Sequence, residues 1–197
     1  MTTKDNEQFG LGKIPADLTP ELRLTRRASY LPDVLIELNA LVKSGIISDY
    51  AIGGGYAVIY HSVPYSTFDL DVFVTLSSEN DFHKLYDYYI QKNKKIEHEY
   101  IYIANMAVQF FPNFISPLSD TAIKESQRTE VKGVPTKVVR VEYLIALLLL
   151  AFRPKDKIHI GELIKNANMD MLNEILRRFD DERSQLSKKL REVLGNP

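Results

Sequence analysis

The stretch AIGGGYAVIYHSVPYSTFDLDVFV, residues 51–74, sets three glycines between two apolar runs and closes on a pair of aspartates. Residues 49–52 read as a short strand, residues 56–61 as a helix, and residues 66–74, alternating and rich in Phe, Val and Leu, as a second strand. A strand that enters a helix through Gly53 and Gly54 lets the backbone approach an anion with no side chain in the way. The first N–H groups of such a helix are unpaired and carry the positive end of its dipole. The corner therefore suits a phosphate, although a glycine pair alone serves a tight turn equally well. Neither a P-loop nor a G-x-G-x-x-G pattern is present.

Asp69 and Asp71 lie two apart in the second strand, so both project from one face while Phe68, Leu70 and Val72 point to the core. Neighbouring carboxylates repel, and burying them uncompensated costs on the order of several kcal/mol. A divalent cation removes that cost, and ligands of oxygen alone suit Mg²⁺ or Mn²⁺. On its own, D-x-D also fits a solvated strand face. The order strand, Gly-Gly, helix, D-x-D strand is more specific, because it sets an anion corner beside a carboxylate pair.

With these residues in place, the chain resembles the nucleotidyltransferase superfamily of the DNA polymerase β type. Its signature, a hydrophobic residue and Gly-Gly followed at a short interval by Asp-hydrophobic-Asp, reads here Ile52-Gly53-Gly54 and Asp69-Leu70-Asp71. The same text looks like the small members related to AbiEii-type toxins. VEYLIALLLLAFRPKDKIHIGELI, residues 141–164, looks like their second half, so the resemblance spans residues 34–165. It implies transfer of a nucleoside monophosphate from a nucleoside triphosphate to an acceptor (RNA, protein or a small molecule). Asp69 and Asp71 would be catalytic and hold Mg²⁺ or Mn²⁺, with Gln109 as a further ligand. Gly53, Gly54, Thr67 and Lys155 would bind the nucleotide. A toxin–antitoxin role, with an antitoxin partner, follows from this resemblance alone.

The chain also departs from the family pattern. Gln109, in Met106-Ala107-Val108-Gln109, stands where a third carboxylate is expected; a neutral amide brings no charge and cannot act as a general base. Glu97 and Glu99 are the nearest substitutes. Tyr65 stands where relatives often carry Arg, and His159 where an aspartate is expected. The alternative function is therefore a catalytically degenerate nucleotide-binding or protein-interaction module on the same fold.

The 197 residues can bury a substantial core, and 45% hydrophobic with 26% charged residues argues against wholesale disorder. A net charge of −1 supplies no global field for nucleic acid, and the absence of cysteine excludes disulfides and thiolate chemistry. The apolar run 141–152 is too short to span a membrane, and with no secretory pattern at the start the chain is expected to be cytoplasmic with no membrane association.

The expected architecture is α+β: a mixed β-sheet flanked by helices, with a C-terminal helical region. The segments are a loose arm (residues 1–18), a nucleotidyltransferase-type α/β unit (19–139) and helices (140–197). Arg23, Arg26 and Arg27 fall in a basic helical turn or short helix, residues 20–29. Residues 31–43 and 78–91 have helical spacing, residues 96–103 and 106–111 read as strands, residues 112–119 as loop, and 129–139 as a hairpin. The tyrosines 86, 88, 89, 100 and 102 have spacing that fits helix and strand packing, with base stacking as the alternative role.

Overall fold

A computed structural model describes residues 30–62 and 65–195. The loose arm and the basic segment with Arg23, Arg26 and Arg27 lie outside the described residues. Helix α1 (Leu31–Lys43) buries Val34, Leu35, Leu38 and Leu41 on one face, the spacing that the sequence pattern implies. Gly45, at φ +74°, takes the chain out of it. Strand β1 (Asp49–Ile52) leads through Gly53 into α2 (Gly54–His61), and β2 (Asp69–Thr75) follows. Helix α3 (Glu79–Gln91) starts at Ser78, whose hydroxyl oxygen accepts the Asp81 N–H.

Strands β3 (Ile96–Glu97), β4 (Tyr100–Ile103) and β5 (Met106–Pro112) come next, then α4 (Pro117–Lys124) and the hairpin β6 (Gln127–Val131) and β7 (Val134–Val138). The described residues end in the helices α5 (Val141–Ala151), α6 (Pro154–Leu163), α7 (Met169–Phe179) and α8 (Leu186–Val193). Among the described residues the sheet has seven strands, in the order β3-β4-β5-β2-β1-β7-β6. β2 is its central strand, antiparallel to β1 and parallel to β5, with Asp71 beside Gln109 in register. The α+β class and the mixed sheet are as the sequence implies.

Three local expectations need correction. Residues 96–103 are not one strand: His98 adopts φ +53° and β3 folds back antiparallel on β4. Residues 112–119 are not loop throughout, because Ser116 caps α4 through the Ser119 N–H and Pro117 occupies its first turn. Phe68 does not enter the core; it precedes β2 and is 69% exposed, whereas Leu70 and Val72 are fully buried.

Helix α5 is apolar nearly all round and accordingly buried, in contact with α2 and α4 as well as α6, α7 and α8. It therefore joins the helical region to the sheet's helices in one core. Its end positions the site. Phe152 is left-handed at φ +51°, and Arg153, restrained by the following proline, is extended. Pro154 then opens α6 at a position where its missing N–H costs nothing. Among the described residues no helix is long and apolar enough to cross a membrane.

Truncating Leu149, fully buried in the last turn of α5, should cost about 2–5 kcal/mol by urea denaturation. Ile36→Ala, at a position 56% exposed, should stay within about 0.5 kcal/mol of wild type.

Candidate functional site

Each glycine of the 53–55 triplet answers a different steric demand. Gly53 is extended, donates its N–H to the Asp71 carbonyl at 2.9 Å and lies under the Phe73 ring. Gly54, the first residue of α2, has φ +49°, and a Cβ there would run into the Asp71 carboxylate. The combination of left-handed backbone and direct approach to a carboxylate leaves glycine as the fitting residue. A Cβ on Gly55 would fall 2.8 Å from the Tyr65 hydroxyl. The helix thus opens with its N-terminal backbone bare and close to Asp71.

Asp69 and Asp71 are part-buried on one face of β2, the face opposite Leu70, Val72 and Val74. Thr67 Oγ1 donates to Asp69 Oδ1 at 3.2 Å and the Tyr100 hydroxyl to Asp69 Oδ2 at 3.4 Å. Burial first, and then the charge of Asp69, push the Asp71 carboxyl up to about 6, against the pull of Lys155, Arg153 and the Gly55 amide. Such a pair, of hard oxygen donors under electrostatic stress, fits Mg²⁺ or Mn²⁺.

Gln109 lies next to Asp71 on β5 and on the same face, but does not line the cavity described below. Glu97 is engaged elsewhere, by Lys95 and by the Tyr102 hydroxyl, and the carbonyl of Glu99 accepts from Tyr86. Among the described residues no three acidic, histidine or cysteine side chains converge in a metal-binding group.

A cavity of about 410 Å³ joins these parts, lined by Gly54, Gly55, Thr67, Asp69 and Asp71 together with Arg153, Lys155 and His159. Of the residues that the sequence singled out, it brings together Gly54, Thr67, Lys155, Asp69 and Asp71; Gly53 and Gln109 stand outside its lining.

The basic wall is pre-arranged. Asp156, fully buried, accepts from the Arg153 backbone N–H at 2.9 Å and from its guanidinium at Nε (2.9 Å) and Nη2 (3.2 Å). A helix cap needs only the backbone bond; the two side-chain bonds also hold the fork in one orientation. Tyr65 packs on His159, ring centroids 4.6 Å apart. Burial and then the charges of Asp71, Asp69 and Asp156 push the Tyr65 hydroxyl up to about 12, so it stays a proton donor at neutral pH. Gly55 and the Asp156 clamp were not singled out from sequence, and Tyr65 only as a departure from the family pattern. The third consecutive glycine and the aspartate between basic residues at a helix entry are the signals that carried them.

Gly54→Ala should leave a folded protein that no longer gains thermal stability from Mn²⁺ with a nucleoside triphosphate, as read by a melting curve. Asp71→Asn tests the charge stress in chelator-treated buffer. Because the folded carboxyl titrates near 6 and an unfolded aspartate near 3.8, wild-type stability falls as pH rises between those values. The Asn variant should match wild type near pH 4 and exceed it by about 2–3 kcal/mol above pH 7.

No protein-family model matches the chain, and no curated protein matches it by sequence. Solved structures do. An antigenic nucleotidyltransferase-like protein from Paracoccidioides brasiliensis superposes with a TM-score of 0.52 at 18% identity, covering 83% of this chain and 93% of that one. The antibiotic-resistance factor ANT(2'')-Ia does so with a TM-score of 0.52 at 13% identity, covering 87% of this chain and 99% of that one. The seven-stranded mixed sheet with its flanking helices is therefore the nucleotidyltransferase fold.

Proposed function

We propose that the chain transfers a nucleoside monophosphate from a nucleoside triphosphate to an acceptor, with Mg²⁺ or Mn²⁺ held by Asp69 and Asp71. The observation that carries this is convergence: a bare helix N-terminus, a carboxylate pair on the central strand and a clamped basic turn line one cavity. Gly54 and Gly55 present backbone to the phosphates, and Lys155 and the Arg153 fork offset their charge. Thr67 and Tyr100 orient the Asp69 carboxylate through its two oxygens. Tyr65 covers the cavity beside His159 and offers a hydroxyl donor. A divalent cation bound at the aspartates would neutralise their repulsion and the charge developing on the phosphoryl group. Most of the remaining acceleration would come from positioning.

A second reading, nucleotide binding without turnover, is favoured by Gln109 at the register position beside Asp71. A toxin role with an antitoxin partner belongs to the proposal only through the likeness of residues 34–165 to AbiEii-type toxins.

The two readings separate in one assay. With α-labelled triphosphates, Mg²⁺ or Mn²⁺, and RNA or cell extract, wild type should move label to an acceptor and release pyrophosphate. Asp69→Asn and Asp71→Asn should each lower that rate by about a hundredfold or more. Lys155→Ala should raise the KM for the triphosphate about tenfold or more, the size of a lost charge-assisted contact. Stabilisation by nucleotide with no transfer to any acceptor would favour the binding module.

A further inference from the structure

The two aspartates of β2 are held in different ways. Asp69 accepts from two hydroxyls, those of Thr67 and Tyr100, one on each carboxylate oxygen. Among the described residues no side chain donates to Asp71; its charge is supported by Lys155, by Arg153 and by the backbone amide of Gly55. Asp69 is therefore tied in place, whereas Asp71 is restrained chiefly by the glycine corner itself.

That corner has no cap of its own. Gly53, at the N-cap position of α2, has no side chain to accept from the first turn, and the turn holds no acidic residue. Asp71 fills the place from the neighbouring strand. The Gly53 N–H on the Asp71 carbonyl, at 2.9 Å, joins β2 to the corner. The carboxylate then lies against Gly54 so closely that a Cβ there would run into its Oδ2. A carboxylate at a helix start satisfies an otherwise unpaired N–H and the positive end of the dipole. Asp71 is thus the cap of α2, supplied by another element.

A cap in that position competes with a phosphate. An anion at the glycine corner needs the same amides and the same space, and it meets a like charge there. When the two aspartates share a divalent cation, the Asp71 charge is offset. Its carboxylate, which no side chain ties down, is then able to turn from the corner.

We propose that Asp71 is the resident occupant of the glycine corner, capping α2 in the empty protein and closing the corner to phosphate until its carboxylate turns to a divalent cation. This rests on the nucleotidyl-transfer reading and adds an order to it: the cation binds before the triphosphate or together with it. Coupling of this kind is reciprocal, so a phosphate at the corner also strengthens the hold of the aspartates on the cation.

The test measures pyrophosphate binding in EDTA by calorimetry, for wild type and three variants. Asp71→Ala empties the corner and should bind about tenfold or more tighter than wild type, the size of a released charge-assisted contact. Asp71→Asn loses the charge but still fills the corner, so it should bind at least about threefold more weakly than Asp71→Ala. Asp69→Ala removes an equal charge from the same strand face with the corner still filled, and should stay within about threefold of wild type. If Asp71→Ala does not fold, Asp71→Ser, whose side chain stops short of Gly54, takes its place. Equal gains from Asp71→Ala and Asp69→Ala, or from Asp71→Ala and Asp71→Asn, would reduce the effect to charge and overturn the inference. So would a wild type that binds pyrophosphate without metal as tightly as Asp71→Ala. Wild-type melting curves with Mn²⁺ and a nucleoside triphosphate keep the two readings apart. Retained stabilisation with no gain in Asp71→Ala overturns this inference alone; loss of that stabilisation overturns nucleotidyl transfer itself.

Discussion

Two carboxylates of like charge, held side by side on the central strand beneath a helix N-terminus, are the constraint around which the rest of the site is arranged. Asp71 carries the stress, since burial and Asp69 both disfavour its charge. Packing that closes the fold also holds Gly54 so near that a Cβ would meet the carboxylate. A structure built for stability alone would place neutral residues there. The pair is destabilising until something with opposite charge arrives, which is the expected trade of stability for function at a binding site.

The opposite charge on the protein's side comes from one turn between two helices. Phe152 ends α5 in a left-handed conformation, Arg153 is kept extended by Pro154, and α6 begins at once. That sequence of backbone states places Arg153 and Lys155 in the lining of the cavity that also holds the aspartates. The buried Asp156 locks the arginine. Because α5 is packed against α2 and α4 as well as the later helices, the turn that carries the basic residues and the glycine corner are anchored to one core. Their separation is therefore set before any ligand binds, which lowers the ordering cost of binding.

Much of the fold was legible because its signals are local and periodic. The alternation around Leu70, Val72 and Val74, the helical spacing of α1 and the unbroken apolar run of α5 each name an element and its buried face. What escaped the sequence depends on backbone states that composition does not mark. His98 at φ +53° splits one expected strand into a hairpin, and Ser116 starts a helix where Pro and Ser suggested loop. The site was legible in the same proportion. The D-x-D spacing placed both carboxylates on one face, and the register sets Gln109 beside Asp71. The Asp156 clamp closes within one turn, from Arg153 to Asp156, but the residues of the cavity lined by Tyr30, Tyr56, Tyr100 and Tyr102 lie far apart in the chain. No single stretch of sequence announces them; Tyr100 and Tyr102 are ordinary strand residues until β4 is placed beside Asp69.

The central claim is that Asp69 and Asp71 hold a divalent cation beside a triphosphate at the glycine corner. Anomalous diffraction from crystals grown with Mn²⁺ and an α,β-methylene nucleoside triphosphate tests it directly. The account predicts manganese density at coordination distance from both aspartates, with the triphosphate against Gly54 and Gly55 and within reach of Arg153 and Lys155. Manganese bound away from β2, or a nucleotide seated outside this cavity, would contradict it.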